Sequence, residues 1–197
     1  MTKKKQNNSI LLVGLGNPGL KYKENRHNVG YMTIDMITKK YNLKKIILKK
    51  FGEISKGELS NKKIFTLKPK EFMNVSGISI KKFIDFYKIN IENILVIHDD
   101  LDLPLGKIKI KIGGGNAGHN GLKNIDEIIG KNYKRIRIGI DRPKNNKSIN
   151  KFVLENFEKE EKKEIIFSIN RITSFIQYFI SSDINDISIL MNKFSKK

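Results

Sequence analysis

The first stretch able to carry out acid–base chemistry runs from Gly14 to Tyr31 and contains His27, one of only three histidines in the chain. A neutral imidazole can take a proton from water near neutral pH, which no other unperturbed side chain does. His27 is therefore the candidate general base, and it needs a partner that orients its ring. Taken alone, a single histidine is equally well explained as a capping or packing residue.

A carboxylate at the end of a neighbouring strand would orient that imidazole. The apolar run Ile94 to Ile97 predicts a buried strand, and Asp99 and Asp100 follow it. A second apolar run, Ile10 to Val13, leads into the stretch that holds His27. Because open α/β sheets present their ligands at the carboxyl ends of the strands, we expect Asp99 or Asp100 to lie beside His27. The alternative for Asp99 is a carboxylate that caps a helix or a turn.

Asparagines recur at the predicted junctions between strands and helices. An asparagine amide offers two donors and an acceptor, so it can hold a carbonyl oxygen or an attacking water without changing its protonation state. Asparagine is abundant in this chain, so any one of them can be incidental. The candidates are Asn17, Asn28, Asn74, Asn116 and Asn120.

A glycine-rich loop, Gly113 to Gly121, precedes a predicted helix. Glycines allow positive φ and a close approach of the backbone, and a helix N-terminus favours an anionic group. Alternating strands on either side of the loop carry basic residues that would add positive charge, although a solvated strand face explains them equally well. These residues are Lys109, Lys111, Arg135 and Arg137.

The segment Gly14 to Gly19 matches G-x-G-x-x-G, the dinucleotide-binding fingerprint, but its context does not. A nucleotide-binding helix would open inside the glycines, with an acidic residue ending a second strand about 20 positions later. Here Pro18 and Gly19 form a turn, and Asp35 lies within a helical pattern. We therefore interpret the glycines as a turn that presents Asn17 and leads to His27.

The elements that must position these residues alternate between strands and helices. A helical pattern begins at Val29, a hairpin turning at Ser60-Asn61 spans Phe51 to Leu67, and further helices follow Asn74 and the glycine-rich loop. The pattern predicts an α/β, single-domain three-layer fold, with a twisted, mixed and mostly parallel sheet flanked by helices on both faces. We expect residues 1–8 to be a disordered basic tail and 9–194 to be one catalytic domain, ending in an apolar stripe after Asp183.

The composition favours a polyanionic partner. The 197 residues include 39 Lys and Arg against 20 Asp and Glu, a net charge of +19, although a coding bias toward lysine would also produce this excess. The chain has no cysteine, which excludes disulfides, thiol nucleophiles and zinc–thiolate sites. No apolar run approaches the roughly 20 residues of a membrane span, so we expect a soluble, cytoplasmic protein.

Five motifs together resemble the bacterial-type peptidyl-tRNA hydrolase family. They occur in the family's order over about residues 9 to 190, and five in register are far more specific than any one. The first joins GLGNPG to Tyr22 and to Arg26-His27-Asn28-Val29-Gly30. The others are Phe72 to Gly77, His98 to Pro104 with Gly106, the GGGNAGHNGLK loop, and Arg135 to Ile140 followed by Arg142-Pro143.

The resemblance implies a metal-independent hydrolase, without a cofactor, that cleaves the ester between a peptide and the terminal ribose of tRNA. It implies that His27 is the general base, that Asp99 orients it, and that Asn17 separates blocked peptidyl-tRNA from free aminoacyl-tRNA. The remaining positions match substrate and tRNA contacts at the acceptor stem and 3′ end: Tyr22, Phe72, Asn74, Asn120, Met73, His119, Lys111 and Arg137.

Three positions differ from the family's usual residues, and none is a proposed catalytic group. Glu71 stands where threonine is usual, Asp100 where glutamate is frequent, and Asn116 where some members have histidine. The competing interpretation is an RNA-binding protein of the same fold that has lost catalysis. The intact set of His27, Asp99 and the asparagines favours the enzyme, and we expect a monomer.

Overall fold

A computed structural model describes residues 9–48, 50–144 and 148–181, which form one seven-stranded sheet with helices on both faces. The strands are β1 (Ile10–Gly14), β2 (Lys44–Ile46), β3 (Gly52–Leu59), β4 (Lys62–Pro69), β5 (Ile94–Asp100), β6 (Ile108–Ile112) and β7 (Lys134–Gly139). The helices are α1 (Val29–Lys40), α2 (Ser76–Tyr87), α3 (Asn120–Ile129), α4 (Ile149–Phe152) and α5 (Lys159–Ser181).

The sheet is mixed and mostly parallel, as the sequence predicts. Its order is β2-β3-β4-β1-β5-β7-β6. The central strands β4, β1, β5 and β7 are parallel, whereas β3 and β6 run antiparallel to the strands beside them. The carboxyl ends of β1 and β5 therefore lie side by side at the middle of one sheet edge.

Side chains of β1 alternate between two cores, which confirms the three-layer prediction. Ile10 and Leu12 belong to the core formed with α1 and α5, whereas Leu11 and Val13 belong to the core formed with α2 and α3. A strand buried on both faces has no polar side, which explains its continuous apolar run.

The hairpin forms where the sequence predicts it. Ser60 and Asn61 connect β3 to β4 with φ angles of 50° and 57°, and positive φ at both central residues is typical of a type I′ turn. Gly57 lies within the ladder of this hairpin, where it pairs with Ile64.

The prediction that the second buried strand ends at Ile97 was wrong. Strand β5 continues to Asp100, where its last three residues pair with Arg137, Ile138 and Gly139 of β7. Pairing with β7 satisfies the backbone there, so Asp99 is held by a central strand rather than by a loop.

Two predictions concern segments that are not among the described residues. The basic tail at 1–8 and the apolar stripe after Asp183 both lie outside them. Within the described ranges, no helix combines the length and the apolar character needed to cross a membrane.

Close packing of α1 over the sheet gives the first testable prediction. A Cβ atom added at Gly30 would lie 2.3 Å from the Ile97 carbonyl oxygen and 2.5 Å from the Leu15 nitrogen. These neighbours are backbone atoms, which cannot move aside without disturbing the sheet. Gly30→Ala should therefore lower the free energy of unfolding by about 1–3 kcal/mol, measured by urea denaturation. The control is Gly115→Ala, whose added Cβ meets nothing within 4 Å. Equal stability of the two variants would contradict the prediction.

Candidate active site

The structure brings His27 and Asp99 together although 72 residues separate them in the chain. His27 lies in a 3-10 turn, Arg26–Asn28, that leads into α1, and Asp99 lies near the end of β5. The His27 Nδ1 atom is 2.9 Å from Asp99 Oδ1 and 2.8 Å from Oδ2. With Nδ1–H donating to the carboxylate, the neutral ring keeps its lone pair on Nε2.

His119 binds the same carboxylate from the other side. Its Nε2 is 3.0 Å from Asp99 Oδ1, and its Nδ1 accepts from the backbone N–H groups of Gly121 at 3.1 Å and Leu122 at 3.3 Å. Because Nδ1 must be unprotonated to cap α3, the proton of the neutral ring lies on Nε2 and is donated to Asp99. Asp99 thus accepts from two imidazoles at once.

Electrostatics favour an ionised Asp99 beside a His27 of increased basicity. Burial alone would raise the pKa of Asp99, but His27 and His119 together hold it well below its usual value. Burial lowers the pKa of His27, yet the charge and hydrogen bond of Asp99 outweigh this effect, so the pKa is raised overall. His27 is thereby a stronger base than a free imidazole.

His98 is a third histidine near this site, and the sequence indicated it only as part of a motif. Its side chain is buried, Nδ1 donates to the Asp99 carbonyl oxygen at 2.7 Å, and its ring lies edge-on to His119. Burial and the neighbouring His119 place the pKa of His98 well below its usual value. His98 is therefore a neutral support for the Asp99 backbone.

His27, Asp99 and His119 each offer a possible metal-ligand atom, and these atoms lie within 4.8 Å of one another. Among the described residues they are the one such group. An ionised Asp99 can only accept hydrogen bonds, however, so both nitrogens that face it must carry protons. The three residues thus form a hydrogen-bonded cluster in which both histidines donate to Asp99. A metal could bind there only by displacing both protons.

The amide of Asn17 is oriented by two neighbours. Its backbone exchanges hydrogen bonds with the Asn28 side chain at 2.8 and 2.9 Å, and its Oδ1 accepts from the Met73 N–H at 2.9 Å. Within the described chain, no partner is found for the Asn17 Nδ2 group. Nδ2 can therefore donate to a ligand, whereas Oδ1 already accepts one hydrogen bond.

A cavity of about 70 Å³ opens beside His27. Asn116, His119 and Asn120 line one side, and residues of α4 and the segment after it line another. A larger groove of about 510 Å³ is lined in part by Asn17 and Asn28.

Several of the predicted substrate contacts are at least partly exposed. Tyr22 and Phe72 meet edge-on with ring centroids 6.2 Å apart, and the Phe72 side chain is half exposed. Asn74 and Asn120 are exposed as well. Met73 is buried, and a Cβ added at Gly121 would lie 2.5 Å from its sulfur, so Met73 packs directly under the start of α3.

The basic residues near the glycine-rich loop have different environments. Lys111 is exposed, whereas Arg137 is partly buried and donates from Nε to Asp100 at 2.6 Å. Arg135 is buried and donates to the carbonyl oxygens of Gly113 and Gly115. Neither sequence-based interpretation of Arg135, a ligand contact or a solvated face, describes it, because it supports the loop from beneath.

Sequence comparison assigns the chain to one family. Residues 11–197 match the profile described as peptidyl-tRNA hydrolase. A peptidyl-tRNA hydrolase of Rickettsia prowazekii is 49% identical over 166 residues, covering 84% of this chain and 90% of the relative. One from Rickettsia canadensis is 45% identical over 178 residues, covering 90% and 96%.

Comparison of structures agrees. The crystal structure of peptidyl-tRNA hydrolase from Acinetobacter baumannii superposes with a TM-score of 0.88 at 34% sequence identity, covering 98% of this chain and 97% of that one. The sequence match extends over nearly the whole chain and the structural match includes all three layers. This chain belongs to the peptidyl-tRNA hydrolase family.

Proposed function

We propose that this protein hydrolyses the ester between peptide and tRNA in peptidyl-tRNA, with His27 as the general base. The observation that carries the mechanism is the His27–Asp99 hydrogen bond. It occupies Nδ1 and leaves the Nε2 lone pair for a water molecule in the adjacent cavity. The charge of Asp99 then stabilises the imidazolium that forms.

Each proton has a defined destination in this reaction. His27 Nε2 takes a proton from water as the water oxygen bonds to the ester carbonyl carbon. The tetrahedral oxyanion collapses, the bond to the ribose oxygen breaks, and the imidazolium returns its proton to that oxygen. The products are a peptide carboxylic acid, which releases the second water proton to solvent and becomes a carboxylate, and tRNA with a free terminal hydroxyl. Neither a metal nor a covalent intermediate is required.

Amide donors complete the mechanism. We assign the developing oxyanion or the attacking water to the exposed amides of Asn74 and Asn120, because neutral donors fixed in place stabilise charge as it forms. His119 lines the cavity and donates to Asp99, and the backbone N–H of the buried Met73 holds the Asn17 amide.

Asn17 is the residue we assign to substrate selection. Its Oδ1 already accepts from the Met73 N–H, which favours donation from Nδ2 to a peptide carbonyl. A free aminoacyl ester offers an ammonium there. That group can only donate, and it would lose hydration without gaining an acceptor.

The tRNA contacts follow from charge and exposure. We propose that Lys111 and Arg137 contact phosphates and that Tyr22 and Phe72 contact the 3′ end, within a surface that carries a net charge of +19. The Glu71 carboxylate, a charge that would repel phosphate, accepts a hydrogen bond from the Ser79 hydroxyl. We further propose a cytoplasmic monomer without a cofactor, with 9–194 as one catalytic domain. The RNA-binding alternative is not favoured, since binding alone does not require a polarised base.

The first functional prediction concerns the base. His27→Ala should reduce kcat for N-acetyl-aminoacyl-tRNA by a factor of about 10²–10⁴, because the variant lacks the imidazole that takes the proton from water. Release of free tRNA is the measurement, and binding of the same substrate should change little. Full turnover in this variant would refute the mechanism.

A pH profile tests the role of Asp99. The base must be neutral, so kcat/KM should rise with pH through the raised pKa of His27. Asp99→Asn removes the charge that raises this pKa. The acid limb should therefore move to lower pH while the plateau falls about 100-fold or more. Asp85→Asn, which breaks an exposed pair with Lys81, is the control and should leave the profile unchanged. An unshifted limb in Asp99→Asn would contradict the assignment.

Chelation tests the alternative of a metal bound by the His27, Asp99 and His119 cluster. Incubation with EDTA followed by desalting should leave turnover unchanged, since a proton occupies each position that a metal would take. Loss of activity restored by one divalent ion would show that the cluster works as a metal site instead.

A further inference from the structure

Five residues that follow α4, Val153 to Phe157, lie against the turn that carries His27, and we call them the strap. The Arg26 N–H donates to the Glu155 carbonyl oxygen and the His27 N–H to the Val153 carbonyl oxygen, both at 2.9 Å. The Asn25 side chain also donates to the strap, at the Leu154 carbonyl oxygen. Val153 lines the cavity beside His27, so the strap joins the base to the cavity wall.

The Arg26 side chain holds this junction from inside. Arg26 is only 4% exposed, and its Nη1 donates to the Asn156 carbonyl oxygen at 2.6 Å. Its Nη2 pairs with Glu161 in the first turn of α5. The guanidinium carbon lies 4.3 Å from the centre of the Phe152 ring and 5.3 Å from that of Phe157.

Joining two segments through a buried cation is energetically unfavourable. Removing a guanidinium from water costs free energy that its ion pair need not recover, and apolar packing of equal volume is often at least as stable. The Arg26 Nε atom is also buried without a partner among the described residues. Beyond packing, the planar guanidinium fixes the relative orientation of the strap and α5, because it contacts a strap carbonyl and Glu161 of α5 at set angles.

We propose that Arg26 is a positioning residue for His27 in the hydrolysis proposed above, on which this inference rests. Arg26 touches neither the cavity nor the His27 ring, and it acts through the backbone it shares with His27 and through the strap. By fixing both, it sets the distance between the base and the cavity wall where water and ester must meet. A displacement of about 1 Å there can cost up to 100-fold in rate.

The test compares two ion pairs that join the same elements. Arg26→Lys keeps the charge but loses the fork, and kcat should fall about tenfold while KM stays within about twofold. Exchange of the His27 amide hydrogen, which is bonded to Val153, should accelerate as well. The matched control is the exposed pair formed by Lys162 and Glu24 at 2.7 Å. Glu24→Gln should change neither kcat nor the exchange rate of the His27 amide hydrogen.

A purely structural role predicts a different result. If Arg26→Lys lowered the urea midpoint but its folded fraction kept the original kcat, the proposal would be overturned. Should that variant fail to fold, Glu161→Gln leaves Arg26 and its carbonyl acceptors in place and should lower kcat about threefold at constant KM. An unchanged kcat in Glu161→Gln would then be decisive against it. Failure of the proposed function is separate, because it would appear as activity retained in His27→Ala.

Discussion

A single buried carboxylate, that of Asp99, sets the requirements that the surrounding structure meets. A charge placed on a central strand, away from water, must be compensated by donors from nearby elements. It receives one from the turn before α1 and one from the residue that caps α3. These two elements must therefore converge on the carboxyl end of β5, which is where the cavity opens.

Each donor is itself fixed by contacts that have no direct part in the chemistry. His119 can donate from Nε2 because its Nδ1 is committed to the first backbone N–H groups of α3. His27 is anchored through its backbone to the strap, and Asn17 is oriented by Asn28 and Met73. The tautomers and amide directions thus follow from helix capping and backbone pairing, so they do not depend on the substrate.

The same arrangement suits cleavage of an ester on a large anion. An activated ester needs a base and a few fixed dipoles rather than a strong electrophile, and neutral amides supply them without adding charge to the site. Positive charge is placed elsewhere, on exposed lysines and on Arg137, where it can attract phosphates from water. Buried arginines have the opposite role, because Arg26 and Arg135 hold the strap and the glycine-rich loop in place.

Much of this protein was determined by its sequence alone, because local patterns decide local structure. Alternation and helical spacing predicted the hairpin, most of the strands and helices and the two covered faces, although not the short strand β2. The apolar runs predicted that a carboxylate, Asp99 or Asp100, lies beside His27. Other features depended on partners far along the chain. The extension of β5 to Asp100 needs β7, the burial of Arg135 needs the loop above it, and the direction of the Asn17 amide needs Met73. Only the tertiary structure could decide these, because a side chain has the same local sequence whether its hydrogen-bond partner is water or a residue 56 positions away.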